Sequence, residues 1–129
     1  MNSTQTPNFK PPHESIFLFT CRDKPASVEL RHRVRAVHME YMIAVLDITV
    51  FGGPLRNDAD TQSHGSIFAL KLPNRAAAMA FLENEPYNKA GLFELVSIEL
   101  WRQMAPERYE GALMKEYERE KRRDLKQRA

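Results

Sequence analysis

His38 follows Arg31 by seven residues and Arg35 by three, within the stretch Val28-Glu29-Leu30-Arg31-His32-Arg33-Val34-Arg35-Ala36-Val37-His38-Met39-Glu40-Tyr41-Met42. At about 100° per residue, those three side chains share one side of a helix. An imidazole titrates near neutral pH, and a guanidinium is a fixed cation. Together they suit a small anion and a proton transfer beside it. Leu30, Val34, Val37, Tyr41, Ala44 and Val45 form an apolar stripe on the same helix, and His38 lies next to that stripe. A plainer reading stays open: a histidine at the edge of a core, flanked by solvated arginines.

The elements that must position these groups follow from the hydrophobic pattern. Ser15–Cys21 is rich in β-formers and reads as a strand. Asp23-Lys24-Pro25 is a turn, and Ser27 is placed to cap a helix running to about Leu46. Asp47–Phe51 reads as a second strand that stops at Gly52-Gly53-Pro54. A polar loop then leads into a third strand, Gly65–Leu72. Arg75–Asn84 is a second helix with Ala77, Ala78, Phe81 and Leu82 inward, and Pro86 stops it. Phe93–Arg102 is a fourth strand. The order β-α-β-β-α-β is the split βαβ pattern: an α+β, ferredoxin-like fold with a four-stranded antiparallel sheet and two helices on one face. Apolar residues point to both faces of the strands, whereas helices can cover only one. The second face is therefore expected to pack on the same face of another copy, giving a homodimer; cover by the leader or tail of the same chain is the competing arrangement.

Composition narrows the function. The chain has 129 residues, enough for one domain with a core. A formal net charge of +2 does not announce a nucleic-acid partner. Cys21 is the single cysteine, which precludes an intrachain disulfide and fits a reducing, cytoplasmic setting. No apolar run approaches the roughly 20 residues of a membrane span. Residues 1–14 read as a polar, flexible leader, residues 15–103 as the domain, and residues 104–129 as a charged helical extension. In that extension Pro106 suits a first helical turn, Tyr109, Leu113 and Tyr117 are spaced to dock it, and Glu118 can pair with Arg122.

Four local patterns occur in order: Asp23-Lys24 with Ser27-Val28-Glu29-Leu30-Arg31; Arg35-Ala36-Val37-His38; Gly53-Pro54 with Gly65-Ser66; and Pro86-Tyr87-Asn88-Lys89-Ala90-Gly91-Leu92-Phe93-Glu94, closing on Trp101. Over roughly residues 15 to 102 the chain resembles the YciI-like (YCII-related) family, and the last pattern is the most specific. The resemblance implies a dimeric α/β-barrel fold and an active site built on a histidine–carboxylate pair in a cleft between helix and sheet. It places His38 at the family histidine, with Arg31 and Arg35 at the family arginines. One member removes chloride from a chlorinated hydroxyquinol, and the structurally similar muconolactone isomerases move a proton on a lactone acid. These analogies suggest small, oxygenated, often anionic substrates, although fold alone does not fix function.

Two carboxylates compete to partner His38. Asp47 is nine residues on and ranks first if the helix ends in a tight turn. Glu85 stands where the family usually has aspartate, with an added methylene. A carboxylate on one ring nitrogen would fix the tautomer of the other. Arg31 and Arg35 would anchor an anion and stabilise an enolate. Gly53 would let the backbone approach a ligand, Ser66 would donate a hydroxyl hydrogen bond, and Tyr87 would line the pocket. Glu85 is then a substrate-side residue if Asp47 holds the histidine. No metal or other cofactor is expected: His32 and His38 point apart on the helix, and no phosphate loop or nucleophile elbow is present. The expectation is a cofactor-independent isomerase, lyase or dehydrohalogenase acting on a small molecule. The alternative is a non-catalytic metabolite-binding module that engages a partner through its tail.

Overall fold

In the computed structural model, which describes residues 15–128, the chain forms β1 (Ile16–Asp23), α1 (Val28–Ile43), a 3-10 turn (Leu46–Ile48), β2 (Thr49–Arg56) and β3 (Ser63–Lys71). It continues through α2 (Arg75–Glu83), the one-turn α3 (Pro86–Lys89), β4 (Phe93–Trp101) and α4 (Ala112–Arg128). The leader at residues 1–14 lies outside the described residues. All strand pairs are antiparallel, in the order β2-β3-β1-β4. This is the ferredoxin-like topology of dimeric α/β-barrel proteins.

Period-two alternation sorts the strands into an inner and an outer face. Phe17, Phe19 and Cys21 of β1 stand opposite Leu70, Phe68 and Ser66 of β3, so all six share the inner face. Phe19 stacks on Phe68 with ring centroids 4.8 Å apart, and Phe81 of α2 packs against both. Asn74 caps α2 by accepting from the Ala77 N–H at 2.8 Å. Gly65 is required where β3 crosses β1: a Cβ there would lie 2.5 Å from the Cys21 carbonyl oxygen.

Several details differ from the sequence reading. Leu30, Val34, Tyr41 and Val45 of the expected stripe do pack on the core, but Val37 is 53% exposed. His38 takes the inward position that Val37 was expected to hold. Ser27 precedes α1 without capping it; its hydroxyl bonds the Pro25 carbonyl instead. β2 does not stop at Gly52 but runs through Gly52-Gly53-Pro54 to Arg56, because at the sheet edge proline removes no ladder bond. Pro86 opens α3, its fixed φ suiting a first helical position. The tail helix begins at Ala112, not near Pro106. Tyr109, Leu113 and Tyr117 remain about half exposed, so they do not dock the helix on the described domain. Glu118 pairs with Lys121, one residue short of the expected Arg122.

The outer face is partly covered within the chain. Trp101 meets Phe51 edge-on at 5.7 Å, and Ile16 and Ala69 are buried there. Leu95, on the same face of β4, is 62% exposed.

Candidate active site

α1 crosses the inner face of β2 and β3, and between them lies a cavity of about 670 Å³. His38 is on its wall, with a side chain 17% exposed. Its Nδ1 is 2.5 Å from Oε1 of Glu85, whose side chain is fully buried. The second Glu85 oxygen, Oε2, accepts from the Asn88 N–H at 3.1 Å. Local sequence explains this posture. Pro86 starts α3, so residue 85 becomes its N-cap, and the orphan N–H groups of the first turn draw in an acceptor. A glutamate is long enough to cap α3 with one oxygen and reach His38 with the other. Because a carboxylate only accepts, Nδ1 carries the proton, and Nε2 is the ring nitrogen left for the cavity.

Asp47 does not partner His38. It sits exposed in the 3-10 turn beyond the end of α1, and the space beside Nδ1 is filled by Glu85. Nor does Glu85 act as a ligand contact, since both oxygens are engaged and none of its surface is exposed. Proximity in sequence favoured Asp47; the fold brings in an acid 47 residues away.

Tyr87 follows on α3 and is 1% exposed. Its ring stacks on His38 with centroids 4.1 Å apart, and the Arg31 guanidinium lies 4.6 Å from the same ring centre. Burial pushes the Tyr87 phenol above its ordinary pKa; Arg31 and Arg35 pull the other way and Glu85 adds to the rise. The phenol therefore stays neutral in the cavity wall.

Arg31 is buried and already engaged. Nε and Nη2 bond the two Asp23 oxygens at 2.8 and 3.1 Å, and Nη2 also reaches Ser66 Oγ at 3.0 Å. Burial works against the charge, but the hydrogen bonds and charge of Asp23 outweigh it and raise the Arg31 pKa. Arg31 thus holds Ser66 in place and has most of its charge balanced, which differs from the free anion anchor expected of it. Asp23, assigned only a turn, ends β1 on the inner side after a register shift between Arg22 and Asp23. The signal was present, since Asp23 belongs to the pattern that carries the family resemblance.

Arg35 is exposed, lines the cavity and bonds no described residue. It is the cation available to a ligand beside His38. Ser66 accepts from Arg31 and keeps its own O–H to donate. Gly53 borders the cavity, but a Cβ there would meet nothing within 4 Å, so no close approach demands it. The tight glycine is Gly52, where a Cβ would lie 3.1 Å from Cβ of Phe68. Among the described residues no group of three His, Cys, Asp or Glu side chains could hold a metal ion, and no helix is long and apolar enough to cross a membrane.

Among solved structures, 5-chloro-2-hydroxyhydroquinone dehydrochlorinase from Burkholderia phenoliruptrix, solved with 2,5-dihydroxybenzoquinone, is 27% identical with a TM-score of 0.67, over 71% of this chain and 98% of its own. A Pseudomonas aeruginosa protein is 15% identical with a TM-score of 0.47, over 74% of this chain and 100% of its own. A candidate antibiotic biosynthesis monooxygenase from Nitrosomonas europaea is 15% identical with a TM-score of 0.48, over 77% and 98%. No curated protein gives a significant match. The YCII-related domain model matches residues 16–102, which is most of the described domain, and the chain belongs to the YCII-related family.

Proposed function

We propose that the cavity is the active site of a cofactor-independent enzyme that moves a proton on a small oxygenated or anionic molecule, by isomerisation, elimination or dehydrohalogenation. The observation that carries this reading is His38, with Nδ1 held by buried Glu85 and Nε2 left for the cavity. Such a nitrogen takes a proton from a bound substrate, and the buried carboxylate steadies the imidazolium that forms. Arg35 binds the anionic group, and the Ser66 hydroxyl donates to a developing oxyanion. The similarity to a dehydrochlorinase supports a small-molecule enzyme.

For a chlorinated hydroxyquinol the step balances without an oxidant. The ring first tautomerises: a hydroxyl proton is moved by Nε2 to the chlorine-bearing carbon, leaving one C=O. Nε2 then takes a second hydroxyl proton, that oxygen's electron pair forms the second C=O, the ring double bond shifts, and the carbon–chlorine pair leaves with chloride. The products are a hydroxyquinone, chloride and a proton, which His38 returns to water. In a lactone acid the same nitrogen takes a proton from one carbon and returns it to another.

His38→Asn is the appropriate test. Its amide nitrogen replaces Nδ1 and keeps a donor for Glu85, while the Nε2 position is lost. Chloride release from chlorinated hydroxyquinols, and solvent-deuterium exchange into unsaturated lactone acids, should fall about 100- to 10,000-fold with folding retained. A variant as active as the parent would refute the assignment.

The outer sheet face completes this reading. Leu95 lies exposed on the same face as partly buried Leu18 and Ile67, a surface suited to the same face of a second copy.

A further inference from the structure

The wall that α1 gives to the cavity changes character along its length. In its first half the lining residues are Val28 at the helix start and then Arg31, His32 and Arg35, which are cationic or titratable. In its second half and just beyond they are Met39, Met42 and Leu46. The sheet follows the same gradient. Ser66 pairs with Pro54 at the charged end, and Phe68 pairs with Gly52 at the apolar end. His38 stands where the two halves meet. Met39 and Leu46 are 44% and 63% exposed, so this apolar end is open to the cavity mouth and not consumed by the core.

We propose that the cavity takes an amphiphilic ring acid, with its anionic group beside Arg35, its reacting atom at His38 and an apolar arm along Met39, Met42 and Leu46. This rests on the reading of His38 as the base and names the substrate class for that site. The cavity, about 670 Å³, falls near the middle of the roughly 300–1,000 Å³ range of small-molecule sites, and a single substituted ring leaves much of it empty. A helical rise of about 1.5 Å per residue sets Arg35 about 4.5 Å before His38 and Met42 about 6 Å after it. The anion, the reacting atom and the arm must therefore follow one another in a line. Arg31 does not compete for the anion, because Asp23 already engages it. Gly52 keeps the floor of the apolar end free of a side chain.

The test is a series of 4-alkylsalicylates, from the unsubstituted acid to the butyl compound, titrated calorimetrically into the full chain while the His38 ring signals are followed by NMR. Affinity should rise about two- to fourfold per methylene, the upper figure being full burial of each CH₂. Leu46→Gln, at an exposed position, should flatten that rise. Arg35→Gln should weaken every member by a similar factor. Should salicylate bind and shift His38 while the alkyl series stays flat, the arm is wrong and the acid/base reading stands. A rise that survives in Leu46→Gln places the arm elsewhere and also overturns the proposal. If no member binds, the amphiphilic substrate class is excluded, and the acid/base reading is judged by chloride release and deuterium exchange alone.

Discussion

Replacing Glu85 by glutamine should move a proton from one nitrogen of His38 to the other. In the native site one carboxylate oxygen meets Nδ1 at 2.5 Å and the other accepts the Asn88 N–H at 3.1 Å, both out of contact with solvent. Glutamine has the same length but offers one oxygen and one NH₂. If the oxygen stayed with His38, the NH₂ would face the Asn88 N–H, leaving two buried donors opposed at about 1–3 kcal/mol each. Turning the amide over costs less: the oxygen keeps the α3 cap and the NH₂ donates to Nδ1. Nδ1 must then accept, and the ring proton shifts to Nε2, the nitrogen assigned to take a proton from substrate. Only a charge-assisted hydrogen bond is exchanged for a neutral one, so the stability loss should be about 1 kcal/mol, or about 4 °C in Tm. Turnover should drop far more, about 100- to 10,000-fold, as when a catalytic histidine is held in the wrong tautomer. Imidazole ¹⁵N shifts, recorded where the ring is neutral, read the tautomer without any substrate. Finding the proton on Nδ1 in both proteins would refute the argument that Glu85 orients the ring.

Two further outcomes follow from the same structure. Burial pushes the Cys21 thiol up from its ordinary 9.0 to about 12, helped by Glu85 and Asp23 and opposed by Arg31. The thiol should resist alkylation in the folded protein at pH 8. The protonated thiol is favoured on folding, so its contribution is whole below pH 9 and is lost as pH rises towards 12, by about 4 kcal/mol at most; denaturant midpoints across that range check it. On the outer sheet face, Leu95→Lys should leave the fold intact and convert a dimer to monomers in sedimentation analysis, and a parent protein already monomeric at 100 µM, about the concentration used for NMR, would end the dimer reading.

The element order was readable because each strand is bounded by turn residues and α2 opens on the Asn74 cap. Asn74 and Phe81 behave as their positions suggest. His38 and Tyr87 also stand out in the local pattern, and the structure brings their rings into contact. What local pattern could not give was pairing across the fold. Asp47 was near His38 in sequence, whereas Glu85 comes close only when α3 packs against α1. The inward turn of α1 was misjudged by one position at Val37, because a helical stripe drawn from apolar residues cannot anticipate a histidine buried by a carboxylate. Arg31 looked free for the same reason: its partner Asp23 sits at the end of a strand, in a stretch read as a turn.

Pro54 and the glycines before it lie in β2, an edge strand among the described residues, and that strand is also one wall of the cavity. Proline has no N–H, so an incoming strand meets a gap in the edge at that point. The wall is thus guarded against edge-to-edge association, and its two adjacent glycines place fewer steric limits on its backbone than side chains would. The opposite wall, α1, is fixed through Asp23, Glu85 and the Tyr41 hydroxyl, which bonds the Phe81 carbonyl. Divergence within such a scaffold can therefore adjust the bore of the cleft through β2 while the proton-transfer machinery keeps its alignment.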